Sequence, residues 1–215
     1  MRRDDIIDRL STIAGGGLMT DETSPSQEFF LRNLHSMREV AIREEFRRDN
    51  VINESNYQSF FPVFDNNVNA GCDGMYKFEC PRVLRVNSVM SGFGYVGSES
   101  GNSPFLMYPS PDAYYNAQRH RVTRSKDQVS AYYDPSEGFI YANSPVKRFF
   151  VRMIAERPED VYTFNVHLDD YPISMKAIEI MEEFIRNGSL GYILRIPGNK
   201  VSNSQSDKYL PQNNE

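Results

Sequence analysis

Residues Ser26 to Asn50 read SQEFFLRNLHSMREVAIREEFRRDN, and this stretch decides the architecture. Wound at about 100° per residue, it places Phe30, Leu31, Leu34, Met37, Ala41, Ile42 and Phe46 on one broad face. The polar run Thr20–Pro25 marks its start. Phe29 and Val40 fall nearly opposite the apolar face. A helix packed only on its own core rarely needs apolar residues on both sides, so these two are candidate contacts with another subunit. The C-terminal half carries Arg38, Glu39, Arg43, Glu44, Glu45, Arg47, Arg48 and Asp49. Glu39–Arg43 and Glu44–Arg48 are i,i+4 pairs in the favourable order, worth roughly 0.2–0.5 kcal/mol each. These charges read either as a solvated face or as an intersubunit belt, for which Arg43, Glu44, Arg47 and Arg48 are the candidates.

Upstream, Ile6, Ile7, Leu10 and Ile13 predict a short amphipathic helix over 3–14, ended by Gly15-Gly16-Gly17. No Lys-Ser/Thr follows the glycines and no strand precedes them, so they do not read as a phosphate loop. They read as a hinge that lets the first helix dock away from its own body. From about 58 to 165 the period changes to short runs rich in Tyr, Phe and Val: Ser59–Phe64, Met75–Cys80, Val83–Val86, Phe93–Val96, Pro104–Tyr108, Val129–Tyr133, Phe139–Ala142, Phe149–Ile154 and Val161–Val166. A hairpin turn is expected at Asp134–Gly138. A helix is expected over Ser110–His120, with Pro111 in its first turn and Ala113, Tyr114 and Ala117 on one face.

A second strong helix is expected from Tyr171 to Asn187, with Pro172 in its first turn and Asp169 and Asp170 complementing its dipole. Ile173, Ala177, Ile180, Met181 and Phe184 form its stripe. Lys176, Glu179, Glu182, Glu183 and Arg186 form the opposite face, and Gly188 the C-cap. Leu190–Ile196 reads as a short helix or strand. The pattern is α+β: N-terminal helices and a C-terminal helix packed with an antiparallel, β-rich, aromatic-rich body, then an extended tail. The expected units are 1–19 (helix and hinge), 20–196 (one domain) and 197–215 (polar tail). The tail holds Val201, Tyr209, Leu210 and Pro211 and little else that packs. Its own burial falls short of an ordering cost of about 1–2 kcal/mol per residue, so Tyr209 and Leu210 are candidate anchors on a neighbouring molecule.

The 215 residues are 40% hydrophobic and 25% charged, with 13 Tyr, 14 Phe and no Trp, a mix that suits both cores and interfaces. A net charge of −5 argues against gripping DNA as the main task. Cys72 and Cys80 lack metal-ligand spacing and read as idle or buried thiols, with a disulfide between them as the alternative. Asp4, Asp5 and Asp8 break any apolar run behind Met1-Arg2-Arg3, so no secretory leader is expected, and no stretch is long and apolar enough for a membrane span. His35, His120 and His167 lie in different elements without converging partners, and no nucleophile, Walker, metalloprotease or EF-hand motif occurs. No catalytic residue, cofactor or metal site is expected. The one basic cluster, Arg119, His120, Arg121, Arg124 and Lys126, suits a solvated loop, a phosphate contact or an acidic partner subunit.

Three groups of residues carry a resemblance. The first is Arg38, Ile42, Arg43 and Glu45; the second runs from Phe93 to Gly97; the third is Asp170, Tyr171, Pro172 and Ile173. In this order and spacing the chain resembles the head-to-tail connector, or ring, proteins of crAss-like and related podoviral bacteriophages over about 30–195. The insertion GSESGNSPF and the Gln/Asn/Ser-rich tail depart from that pattern and leave open which ring of the neck or tail it is. The resemblance implies a virion protein at the head–tail junction, assembled in the bacterial host cytoplasm. It implies a ring, a dodecamer matching the portal, that contacts the portal protein and other neck or tail rings while viral DNA passes through the lumen. A nucleic-acid-binding accessory protein and an enzyme of unknown class are the alternatives.

Overall fold

The Asp5 carboxylate accepts the Arg2 N–H at 3.1 Å and starts the first helix, α1 (Arg3–Ala14). The computed structural model describes residues 1–15, 27–63, 75–87, 92–119, 128–143 and 148–189. Gly16, Gly17, Cys72, His120, Arg121, Arg124, Lys126, Leu190–Ile196 and the tail with Tyr209 and Leu210 lie outside these residues. The remaining helices are α2 (Gln27–Asp49), α3 (Pro111–Arg119) and α4 (Met175–Arg186). The strands are β1 (Gln58–Phe60), β2 (Tyr76–Glu79), β3 (Phe93–Gly97), β4 (Leu106–Tyr108), β5 (Ser130–Asp134), β6 (Phe139–Ala142) and β7 (Phe150–Met153).

Helices α1, α2 and α4 pack on one another around Ile6, Leu10, Phe30, Leu34, Met37, Ile42, Ile178 and Met181. Each such side chain, fully buried, contributes about 1.5–3 kcal/mol. The helix predicted over 3–14 is present, but it does not dock away from its own body. Ile6, Ile7 and Leu10 are buried, Arg9 pairs with Glu182 of α4, and the Tyr171 N–H donates to the Met1 carbonyl at 3.0 Å. Three apolar positions at helical spacing need a partner face, and the nearest one belongs to the same chain. Leu31, expected in the core, is 44% exposed.

The strands form two sheets, in the orders β1-β7-β3 and β2-β6-β5-β4. All pairs are antiparallel except β4 with β5, which run parallel and are joined through α3. The expected hairpin turn is present between β5 and β6, closed by the Gly138 N–H on the Asp134 carbonyl at 2.9 Å. The sheets are stitched along both seams. On one side Gly97 bridges Pro104 and the Phe105 N–H donates to Val96 O at 2.8 Å. On the other the Glu79 N–H donates to Val63 O at 3.2 Å. Position 97 must be glycine for the first seam to close, because a Cβ there would lie 2.5 Å from Ser103 O. The strands thus wrap one aromatic core in barrel fashion, with Phe60, Phe78, Val96, Phe105, Phe149 and Val151 inside. Phe149 stands edge-on to Phe78, with centroids 4.7 Å apart.

Three expected elements differ. Val83–Val86 is not a strand; Val83 makes an isolated bridge to Ala155, and Leu84 donates to Ile154 O at 2.9 Å. This segment crosses between the two cores, with Val83 in the β core and Leu84 and Val86 in the helical one. Val161–Val166 is a series of turns, in which the Asn165 N–H donates to Asp169 at 2.6 Å. Asn and Asp side chains bonding the local backbone compete with a ladder there. The last helix begins at Met175 rather than Tyr171, because Ser174 accepts the Ala177 N–H and caps it. Asp169 and Asp170 therefore do not serve its dipole, and Asp170 instead holds the Met1 amine at 2.7 Å. The helix ends as expected in a Schellman turn. Gly188, at φ +66°, takes the left-handed position, and the Ser189 N–H donates to Phe184 O at 2.9 Å.

Candidate functional site

Arg38 and Glu45 lie two helical turns apart on the buried face of α2, at 0% and 2% exposure. The Arg38 guanidinium pairs with no carboxylate among the described residues. It donates to three backbone carbonyls: Pro172 and Ala155 at 2.8 Å each, and Asn56 at 3.3 Å. Burial pulls its pKa below the ordinary value, yet guanidinium remains charged at neutral pH. Glu45 accepts from Asn56 Nδ2 at 2.9 Å and from Ser174 Oγ at 2.8 Å. Asn56 also accepts the Ser174 N–H at 2.8 Å. One network thus ties α2, the segment after β7, the 3-10 turn Glu54–Asn56 and the cap of α4. Every partner is fixed by packing, which favours a single arrangement of the helical layer on the β body.

Beside this network His35 Nδ1 lies 3.1 Å from Tyr171 Oη, and His35 Nε2 lies 3.5 Å from Glu159. A neutral ring with its proton on Nε2 satisfies both neighbours. Burial lowers the His35 pKa from 6.5; Glu159 opposes this, and Arg38 and Arg157 add to it. The folded state therefore holds His35 neutral more firmly than the unfolded chain does. Its contribution to stability is present above pH 6.5 and is lost as pH falls through that value toward the lowered folded pKa. His35→Gln is expected to flatten the fall in melting temperature between about pH 7 and pH 5.5 relative to the parent. An unchanged slope in that window contradicts this reading.

The expected interface residues are distributed as follows. Phe29 is half-buried, meets Phe30 edge-on at 5.5 Å and packs on its own helical core. Val40 is half-buried. Arg43 pairs with Glu39 at 2.6 Å and its Nε donates to Arg85 O at 2.9 Å. Glu44 accepts from Arg47 at 2.7 Å and Arg48 at 2.8 Å, and Arg48 also reaches Glu183 of α4 at 2.9 Å. The hydrogen bond from Arg47, with that from Arg48 beside it, lowers the Glu44 pKa to about 2. Arg48 and Glu44 thus join α2 to α4 within one chain. Glu182, expected on the outer face of α4, is buried and held by Arg9 and by Arg186.

Arg119 closes α3 at the surface, and it alone of the basic cluster falls among the described residues. His167 is exposed in the Asn165–Asp169 turn. Cys80 is a buried free thiol 3.7 Å from Met153 sulfur, and desolvation pushes its pKa up. Among the described residues, no group of three or more His, Cys, Asp or Glu could hold a metal ion, and no helix is long and apolar enough to cross a membrane. Among the described residues, open grooves of about 430 and 500 Å³ lie on the β body. Neither is lined by His35, Glu159 or Tyr171.

Sequence reasoning missed the Arg38–Glu45–Asn56–Ser174 network. The signal was present in the angular position of Arg38 and Glu45, which project within the apolar stripe at helical spacing. No protein-family model matches the chain, and no curated protein resembles it closely enough in sequence to count as a match.

Proposed function

We propose that the protein is a structural virion protein, a head-to-tail connector of a tailed bacteriophage. It forms a ring, a dodecamer, around the DNA channel between the portal and the next neck or tail ring. One observation carries this reading. Two of the three residue groups behind the resemblance meet in space, because Arg38, Ile42 and Glu45 pack where Tyr171, Pro172 and Ile173 arrive, and Arg38 bonds Pro172 directly. These residues are buried in the fold and line neither groove, which suits an architectural role. The acidic balance of −5 suits a lumen along which DNA slides, since like charge avoids gripping phosphate. Exposed apolar side chains, Leu31 on α2, Met175 on α4 and Val51 beyond α2, suit contact with other subunits.

The convergence of His35, Tyr171 and Glu159 is the observation that favours the alternative of an enzyme of unknown class. Electron micrographs of the purified full chain discriminate between these readings. Closed rings of uniform diameter are expected, with Leu31→Glu reducing their number. Sub-micromolar DNA affinity with a steep salt slope, in the absence of rings, favours the nucleic-acid-binding alternative instead.

A further inference from the structure

The groove of about 430 Å³ opens beside the Gly97–Pro104 seam, where β3 meets the approach to β4. Its walls are ring faces and edges, chiefly Phe93, Tyr95, Phe105, Tyr108 and Tyr133. Phe93 and Tyr133 meet edge-on with centroids 5.3 Å apart. The Tyr133 hydroxyl is occupied by Pro81 O at 3.3 Å, so this residue lines the groove with its ring. Three prolines, Pro104, Pro109 and Pro135, complete the rim and bring no backbone N–H. Aromatic walls of this kind receive rings and prolines from an extended peptide, whose rigid backbone loses little entropy on docking.

Among the described residues, the single charged one in the lining is Arg85. It is exposed, and its guanidinium makes no ion pair among the described residues, its carbonyl alone accepting from Arg43. The groove therefore fits an extended segment with a ring, an apolar side chain and a proline in succession and a carboxylate nearby. The chain contains such a segment at Asp207-Lys208-Tyr209-Leu210-Pro211. It belongs to 199–215, a stretch with few apolar residues. The span from Ser189 to Tyr209, fully extended, reaches up to about 65 Å. A domain of this length has a radius of gyration near 17 Å by the usual scaling, roughly a quarter of that reach.

We propose that residues 207–211 of one copy dock in the aromatic groove of the neighbouring copy. Tyr209 and Pro211 lie against its rings, and Asp207 pairs with Arg85. This inference rests on the ring reading, and names the site through which the tail joins successive subunits.

The test uses the full chain with p-benzoylphenylalanine in place of Tyr209, mixed as isotopically heavy and light copies and irradiated after assembly. Cross-links between heavy and light copies, on peptides carrying Phe93–Val96 or Met107–Pro109, are expected. Arg85→Glu is expected to lower their yield several-fold, and Asp207→Arg in the same chain to restore it. Arg85 is exposed, and circular dichroism of the reversed variant checks that the fold is kept. Rings whose cross-links fall elsewhere, or only within single chains, overturn the docking site and leave the connector reading standing. Chains that form no rings and no cross-links between copies overturn both.

Discussion

Replacing Arg38 with Met is expected to lower stability by about 3–5 kcal/mol and the melting temperature by roughly 10 °C. The substitution removes a side chain that is 0% exposed and strands the carbonyls of Pro172, Ala155 and Asn56. Each stranded buried acceptor costs about 1–3 kcal/mol. Arg38→Lys keeps the charge but offers a point donor where a planar fork reaches three carbonyls, so an intermediate loss is expected. Arg43→Ala, on the exposed side of the same helix, is expected to stay within about 0.5 kcal/mol. Denaturant titrations of the three variants check this order. A loss under about 1 kcal/mol for Arg38→Met contradicts the role assigned to the network.

Phe149→Ala is expected to cost about 3–5 kcal/mol, through the cavity left at the centre of the β core. Phe149, just before β7 of the three-stranded sheet, is fully buried and meets Phe78 of β2 at 4.7 Å and Phe105, just before β4 of the four-stranded sheet, at 5.1 Å. Its loss therefore loosens both walls together. Phe149→Leu refills most of the volume and is expected to cost well under half as much. Equal losses for the two substitutions, measured by calorimetry, contradict the packing described.

The amphipathic pattern made α1 and α2 legible, because Ile6, Leu10, Phe30, Leu34 and Met37 recur at the period of a helix. The Asp134–Gly138 turn and the runs that became β2, β3, β5, β6 and β7 were legible through Tyr, Phe and Val bounded by turn residues. Buried charge was legible only as an angular position within the apolar stripe. Arg38 and Glu45 count as polar in any pattern, and their burial depends on carbonyls and hydroxyls that come from far along the chain. The start of α4 was misplaced because Pro172 resembles a first-turn proline. Its carbonyl is instead needed by Arg38, and Ser174 takes over the cap. The barrel-like closure was hidden too, since it depends on single seam contacts at Val63 and at Gly97–Pro104 that no periodicity records. The aromatic groove is a product of that closure, which brings Phe93, Phe105 and Tyr133 together from three parts of the chain.

Closure of copies of this chain into a ring, as proposed, is read out by native mass spectrometry of the full chain. Across a concentration series one dominant closed species of about twelve copies is expected, with Leu31→Glu shifting the population toward free subunits. A protein that remains monomeric at every concentration, or that grows into a ladder of open oligomers without a preferred size, contradicts it.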